Sequence, residues 1–412
     1  MTISHARVIG LDAHPDSFTS AIISGVTPAA AVVEKVYNKV PIRQLASWAE
    51  KHTFKEDTIV LEASGNSFHI VRALEKVGRN AKVLESCQVG KLKDAHANND
   101  KISAVRIGKA YLAGTAKIVW LPDPITQERR DIFHAYSKTV KRSTQLINRI
   151  KSYLSDNGVR LNSKTSLIKQ QKTILQKHSW SLTQKMILEG LFADLIHAQN
   201  QKTPWNRLMA QQVLTDPVLL SLTRLTGIRD IVAYSVGAII GDITRFANPK
   251  KLVSYVGLNP AFDDSGEEKW SGGIKGHGRR DIRSLLIEAA QSIYNSKHSL
   301  AAWGKKLLAR KGSKTLAIAA IARKLTVAIY YILKGSWSPV EEVDSLMSAK
   351  IGKMITKLGS EGLAALETTR KDFRAQIFEL LKVGRTYRLD PDKKYTKSPE
   401  PPAISSPLPV NA

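Results

Sequence analysis

With 412 residues, 62 lysines and arginines against 36 acids, and a formal charge of +26, the chain has room for two or three domains with real cores. Its charge points to a polyanionic partner, nucleic acid ahead of an anionic membrane surface or a ribosomal partner. The single cysteine, Cys87, excludes an intramolecular disulfide framework and a multi-cysteine zinc site, and reads as a small buried residue of an intracellular protein. No run approaches the roughly 18–20 apolar residues that span a bilayer and no signal-peptide pattern opens the chain, so a cytoplasmic, nucleoid-associated protein is expected.

In chain order, Ala6 to Asp12 and Ser17 to Gly25 read as a β-hairpin turning at Pro15-Asp16, with Asp12 at the end of its first strand. Ala31 to Tyr37 reads as a third strand, and Ile42 to Lys51 has helical spacing with Leu45, Trp48 and Ala49 on one side. Thr58 to Glu62 reads as a buried strand with Glu62 at its carboxyl end. A helix over Ser67 to Val77, a strand over Lys82 to Glu85 and a helix from Asp100 to about Leu112 continue an α/β alternation. Three strands followed by αβα fit an RNase H-like layer sandwich over residues 1–126.

From about Gln127 strand signals stop, and residues 127–213 suit extended helices or a coiled-coil hairpin. Lys138 to Lys177 holds ten Lys or Arg against one acid, Asp156. A charge run is ordinarily a solvated helix face, but one sign this dominant favours a surface for nucleic-acid backbone, with Lys141, Arg142, Arg149 and Lys151 as candidates. Residues 214–335 form the next expected domain. Leu225-Thr226-Gly227-Ile228 and the apolar spacing through Ile240 resemble a helix-hairpin-helix, in which a glycine turn lets N–H groups approach a phosphate. Asn259 to Gly273 reads as a glycine-rich loop or hairpin, and Arg279 to Ser296 as a helix. Further helices run through Leu333 and over Val343 to Leu381, making 336–397 a helical basic extension, and 398–412 is a Pro/Ser-rich disordered tail.

Two constellations carry chemistry. Asp12 and Glu62 each end an apolar strand and Asp100 opens a helix, so carboxylate oxygens could gather to hold Mg²⁺ or Mn²⁺ for phosphoryl transfer; taken singly, each acid is equally a cap or turn residue. Asp94 and Asp131 are spare acids without a positional argument. Downstream, Ser265-Gly266 lies between Gly257-Leu258-Asn259-Pro260 and Gly272-Gly273-Ile274-Lys275-Gly276. A serine there is a candidate nucleophile toward phosphate, with Lys275, His277, Arg279, Arg280 and Arg283 as offsetting cations. By itself Ser-Gly is a common turn, and Asp263 and Asp264 would repel phosphate unless screened.

Ile9-Gly10-Leu11-Asp12, Leu61-Glu62-Ala63-Ser64-Gly65, Asn99-Asp100-Lys101-Ile102-Ser103-Ala104, Ile240-Gly241-Asp242-Ile243, Gly257 to Gly266 and Gly272 to Arg283, in that order, resemble the DEDD insertion-sequence transposases. That family includes the Piv-type DNA invertases and the bridge-RNA-guided recombinases, and the resemblance covers most of residues 6–330. It implies a RuvC-like N-terminal domain, a coiled coil used in assembly and a C-terminal transposase domain. It also implies metal on Asp12, Glu62 and Asp100, a nucleophile at Ser265, and a composite active site between subunits of a homodimer or homotetramer. DNA, as element ends and target, is the implied substrate, and some members use a structured guide RNA. The family's third motif has a second acid where this chain has Ser103; a neutral hydroxyl is a weaker ligand, so three acids suffice or the site is impaired. The readings left open beside a serine recombinase are a RuvC-like structure-selective nuclease and a catalytically degenerate nucleic-acid-binding protein.

Overall fold

A computed structural model describes residues 7–90, 99–162, 165–265, 268–274, 277–335 and 344–381. The chain divides into two units, Met1–Asp123 and Pro124–Ala412. The first is built on a six-stranded sheet in the order β3-β2-β1-β4-β5-β6: β1 Arg7–Ala13, β2 Ser17–Ser24, β3 Val32–Pro41, β4 Thr58–Glu62, β5 Asn80–Leu84 and β6 Ile118–Val119. Strands β1, β4 and β5 are mutually parallel, while β2, β3 and β6 join by antiparallel pairing. The helices are α1 (Leu45–His52), α2 (Ser67–Lys76), α3 (Ser86–Gly90) and α4 (Asp100–Leu112).

Alternation of side chains along the strands assigns the two faces. Ile9 and Leu11 of β1 and Ile59 and Leu61 of β4 share a core with Leu45 and Trp48 of α1 and Ile70 and Leu74 of α2. Val8 and Val60 face the other way, packing with Ile107 and Ala110 of α4. By the same period Asp12 and Glu62 belong to the α4 face. The edge strand β3 is largely exposed and carries Glu34, Lys35 and Lys39, charges that discourage edge-to-edge association.

The expected elements of this unit are present, with β3 longer than read and the short α3 and β6 added. Cys87 corrects the expectation of a buried thiol: it is exposed. The short α3 turns Val89 into the core instead.

Among its described residues the second unit is helical apart from one hairpin. Helices α5 (Pro124–Asp156) and α7 (Leu182–Thr215) pack together, with α6 (Leu167–Lys177) between them in sequence. Leu146, Ile150 and Leu154 of α5 meet Leu188, Phe192 and Leu195 of α7 and Leu167 and Ile174 of α6. A capping box at Ser181 and Gln184 starts α7. The other halves of α5 and α7 enter a larger core with α8 (Pro217–Leu222), α9 (Asp230–Ile240), α10 (Pro249–Val256), α11 (Arg280–Tyr294), α12 (Ser299–Lys311), α13 (Lys314–Leu333), α14 (Asp344–Ala365) and α15 (Arg370–Leu381). Between α10 and α11 lies the antiparallel pair β7 (Pro260–Ser265) and β8 (Glu268–Ile274).

One expectation about membranes is corrected. Helix α13 is long and apolar enough by length and composition to cross a bilayer, with mean hydropathy 1.7 over its apolar window. Half of that window is buried, with Ala317, Ile321, Leu325 and Ile329 in the core of this unit, the behaviour of a core helix. The basic residues beyond 381 and the C-terminal tail lie outside the described residues.

Candidate active site

In the first unit Leu11 sits opposite Leu61 in the parallel β1–β4 pair, so Asp12 and Glu62, one residue further on, close the same edge of neighbouring strands. Asp100 arrives from α4. Asn99 caps that helix by accepting the Ile102 N–H at 2.9 Å, which leaves Asp100 in the first turn, where the helix dipole favours a negative charge. The approach of α4 is set by Gly10: a Cβ there would stand 1.9 Å from the Ala104 carbonyl oxygen. Ala104 lies one turn from Asp100, so this backbone contact brings Asp100 to Asp12.

Sequence reasoning missed one member of the close group, His14, and expected another, Glu62, that lies outside it. His14 Nε2 stands 4.0 Å from Asp12 Oδ2 and 3.6 Å from Asp100 Oδ1, and ligating atoms of the three residues lie within 4.8 Å of one another. A histidine two residues after the first acid, in the predicted hairpin turn, was the available signal. Its backbone is pinned twice: its N–H donates to Ser17 O at 2.8 Å and its carbonyl accepts from Asn66 Nδ2 at 3.0 Å.

Burial raises the Asp12 pKa above the ordinary carboxylate value; His14 works against the rise, and the charges of Asp100 and Glu62 add to it. Ser103, expected as a doubtful metal ligand, is buried and its hydroxyl accepts from Arg106 Nη2 at 3.2 Å. Its place is therefore beside a guanidinium cation. Asp131 accepts from Gln127 in α5 of the other unit, and Asp94 is outside the described residues.

In the second unit Ser265 is the last residue of β7, in register with Glu268; its side chain, like Lys275, lies outside what the structure describes. The base of this hairpin is defined. Helix α10 ends at Gly257 in the left-handed region, φ 81°, and a Cβ there would meet the His277 carbonyl oxygen at 2.0 Å; only glycine fits. Arg283, expected on a nucleic-acid surface, is buried, and its Nη1 donates to Gly257 O at 3.2 Å and His277 O at 2.6 Å. It ties the two ends of the hairpin together. Arg279 is half-buried in a bidentate pair with Asp281, at 2.6 and 3.1 Å. Arg280 is exposed. Replacing Arg283 by Met is expected to lower stability by about 2 kcal/mol, because the buried Gly257 carbonyl and the part-buried His277 carbonyl lose their donor. Arg280→Ala should stay within about 0.5 kcal/mol of the parent, a contrast read from urea midpoints.

Arg130 donates to the carbonyls of Ala238 and Ile239, and Arg245 to those of Ile240 and Ile239, two cations closing the C-terminus of α9. A cleft of about 1060 Å³ in this unit is lined by Lys141, Thr226, Gly227, Arg229 and Lys353, with Asp230, Asp281 and Glu288 as its acids. Gly227 makes its turn at φ 83°, so the helix-hairpin-helix-like turn and the exposed Lys141 share one basic concavity. Arg142, Arg149 and Lys151 are exposed along α5; Arg142 lies 4.0 Å from Asp194.

Residues 220–303 match the family model described as Transposase IS116/IS110/IS902 family. The chain is 24% identical over 288 residues to the transposase for insertion sequence element IS1111A of Coxiella burnetii (strain RSA 493 / Nine Mile phase I), covering 68% of this chain and 79% of that protein. It is 22% identical over 274 residues to a probable family 20 transposase of Pseudomonas aeruginosa, covering 63% and 79%. To the transposase for insertion sequence element IS1328 of Yersinia enterocolitica it is 20% identical over 325 residues, covering 78% and 95%.

Proposed function

We propose that this chain, a transposase of the IS116/IS110/IS902 family, cuts and rejoins DNA through a phosphoserine on Ser265, assisted by a divalent cation. The observation that carries the reading is the family match over 220–303, which spans Ser265, the hairpin base and helix α11. Approach of Asp100 to Asp12, with Glu62 on the neighbouring strand end near enough for its charge to act on Asp12, supports the metal half, and the strand order with β2 antiparallel supports an RNase H-like, RuvC-like first unit.

The donor set suits Mg²⁺ or Mn²⁺: carboxylate oxygens on strand and helix ends, partly open to solvent. Asp12, Glu62 and Asp100 would hold the ion, which when bound offsets negative charge on the phosphate. Ser265 Oγ forms a bond to phosphorus while one sugar oxygen leaves and takes up a proton, the serine proton passing to solvent. Attack on the phosphoserine by the hydroxyl of another strand end restores the phosphodiester and frees the serine, so no ATP is needed. Arg280 and the basic cleft at Lys141, Arg229 and Lys353 are suited to DNA backbone. The paired α5 and α7 are suited to assembly of a homodimer or homotetramer, and their exposed Arg142, Arg149 and Lys151 to a structured guide RNA.

The test is covalent trapping on full-length protein with co-purified RNA, element-end DNA and Mg²⁺. The expected result is a protein–DNA adduct lost on chelation and lost in Ser265→Ala. Strand cleavage without an adduct would replace this mechanism with a metal-assisted hydrolysis. Salt-dependent binding without cleavage would make the chain a binder only.

A further inference from the structure

We infer that His14 is itself a ligand of the divalent cation at Asp12 and Asp100, and that it biases the site toward a transition-metal ion such as Mn²⁺ over Mg²⁺. The inference rests on the acidic-site reading above and deepens it. Two groups bound to one ion through bonds of about 2.1–2.2 Å lie roughly 3–4.3 Å apart across the angles such ions adopt. His14 Nε2 is 3.6 Å from Asp100 Oδ1 and 4.0 Å from Asp12 Oδ2, inside that range before any ion draws them together.

Three further features favour ligation over a passing surface contact. The main chain of His14 is held at both its N–H and its carbonyl, and Asn66, which holds the carbonyl, is itself braced by Ser64 Oγ at 2.9 Å. The imidazole is 52% exposed, so an ion has a route to it. The position where the family resemblance expects a fourth acid is Ser103, which receives a hydrogen bond from Arg106. With a guanidinium on that side, His14 is a neighbouring donor, in addition to Glu62, able to complete the shell. An imidazole nitrogen changes the selectivity: Mg²⁺ binds oxygen donors almost to the exclusion of nitrogen, whereas first-row transition ions accept both.

The experiment uses the full chain with Mn²⁺ and Mg²⁺ as probes, comparing the parent with His14→Ala, His14→Gln and Asp12→Asn. Affinities come from titration calorimetry with competition, and ligation from the ¹⁴N modulation of the Mn²⁺ electron spin echo. The expected result is ¹⁴N coupling in the parent that disappears in both His14 variants. Their Mn²⁺ affinity should fall about tenfold or more, with Mg²⁺ affinity changed less than about threefold and metal-free melting temperatures unchanged. Mn²⁺ bound through Asp12 but without ¹⁴N coupling, and with equal affinity in His14→Ala, would overturn the role of His14 and leave the acidic site standing. Mn²⁺ affinity unaffected by Asp12→Asn, or no binding in the parent, would overturn both.

Discussion

Asp12→Asn is expected to cripple strand cleavage while making the metal-free protein more stable. Asp12 closes β1 on the side covered by α4, partly buried, with Glu62 and Asp100 nearby. Burial raises its pKa first, and the two neighbouring carboxylates add to the rise. A carboxyl whose folded pKa lies above its unfolded one contributes stability only while it is protonated. That contribution is complete below the ordinary carboxylate range and is lost as pH rises through the folded value. At neutral pH the charge therefore works against folding, and the isosteric amide should gain roughly 1 kcal/mol, a few degrees in melting temperature. The advantage should shrink as pH falls toward the ordinary carboxylate range. A divalent cation should reverse the order, since an ion at 100 times its Kd adds about 2.7 kcal/mol to the parent and little to the variant. Cleavage should fall about a thousandfold. Thermal melts with and without Mn²⁺, beside a cleavage assay, test both halves; a parent more stable than Asp12→Asn in the absence of metal would contradict this account of the site.

Gly10→Ala should be the most damaging small substitution in the first unit. The new methyl would stand 1.9 Å from the Ala104 carbonyl oxygen and 2.8 Å from the Gly108 nitrogen, both main chain. Neither can rotate away, so α4 must lift from the sheet. Overpacking of this kind costs about 3 kcal/mol, a large part of a domain's 5–15 kcal/mol or so. The lift also carries Asp100 away from Asp12 and His14, so divalent-cation affinity should fall with stability. Gly108→Ala offers the control: its methyl meets the Ile23 Cδ1 at 2.5 Å, the free end of a side chain that can turn aside, and should cost about 1 kcal/mol. Denaturant midpoints and Mn²⁺ titration measure both. Equal stability of Gly10→Ala and the parent would show that α4 is not held by this contact.

What the sequence determined by itself was local and periodic. Alternation in Ile9-Gly10-Leu11-Asp12 and Thr58 to Glu62 is enough to set buried strands ending in acids, and Asn99-Asp100 before Lys101-Ile102 is enough to start a helix on a carboxylate. Strand period and helix capping act over a few residues, which is why they can be read from them. The apolar spacing of 127–213 determined long helices in the same way.

The tertiary structure decided which groups meet. His14 becomes a neighbour of Asp100 only because β1 turns at a hairpin and α4 crosses Gly10, a contact between residues 86 positions apart that no periodicity encodes. Arg283 reads in the sequence as one more cation of a basic run, yet the fold buries it against two carbonyls at the Gly257 corner. Charge and spacing are properties of a segment. Exposure, and therefore whether a cation faces phosphate or the backbone of its own chain, belongs to the packing around it.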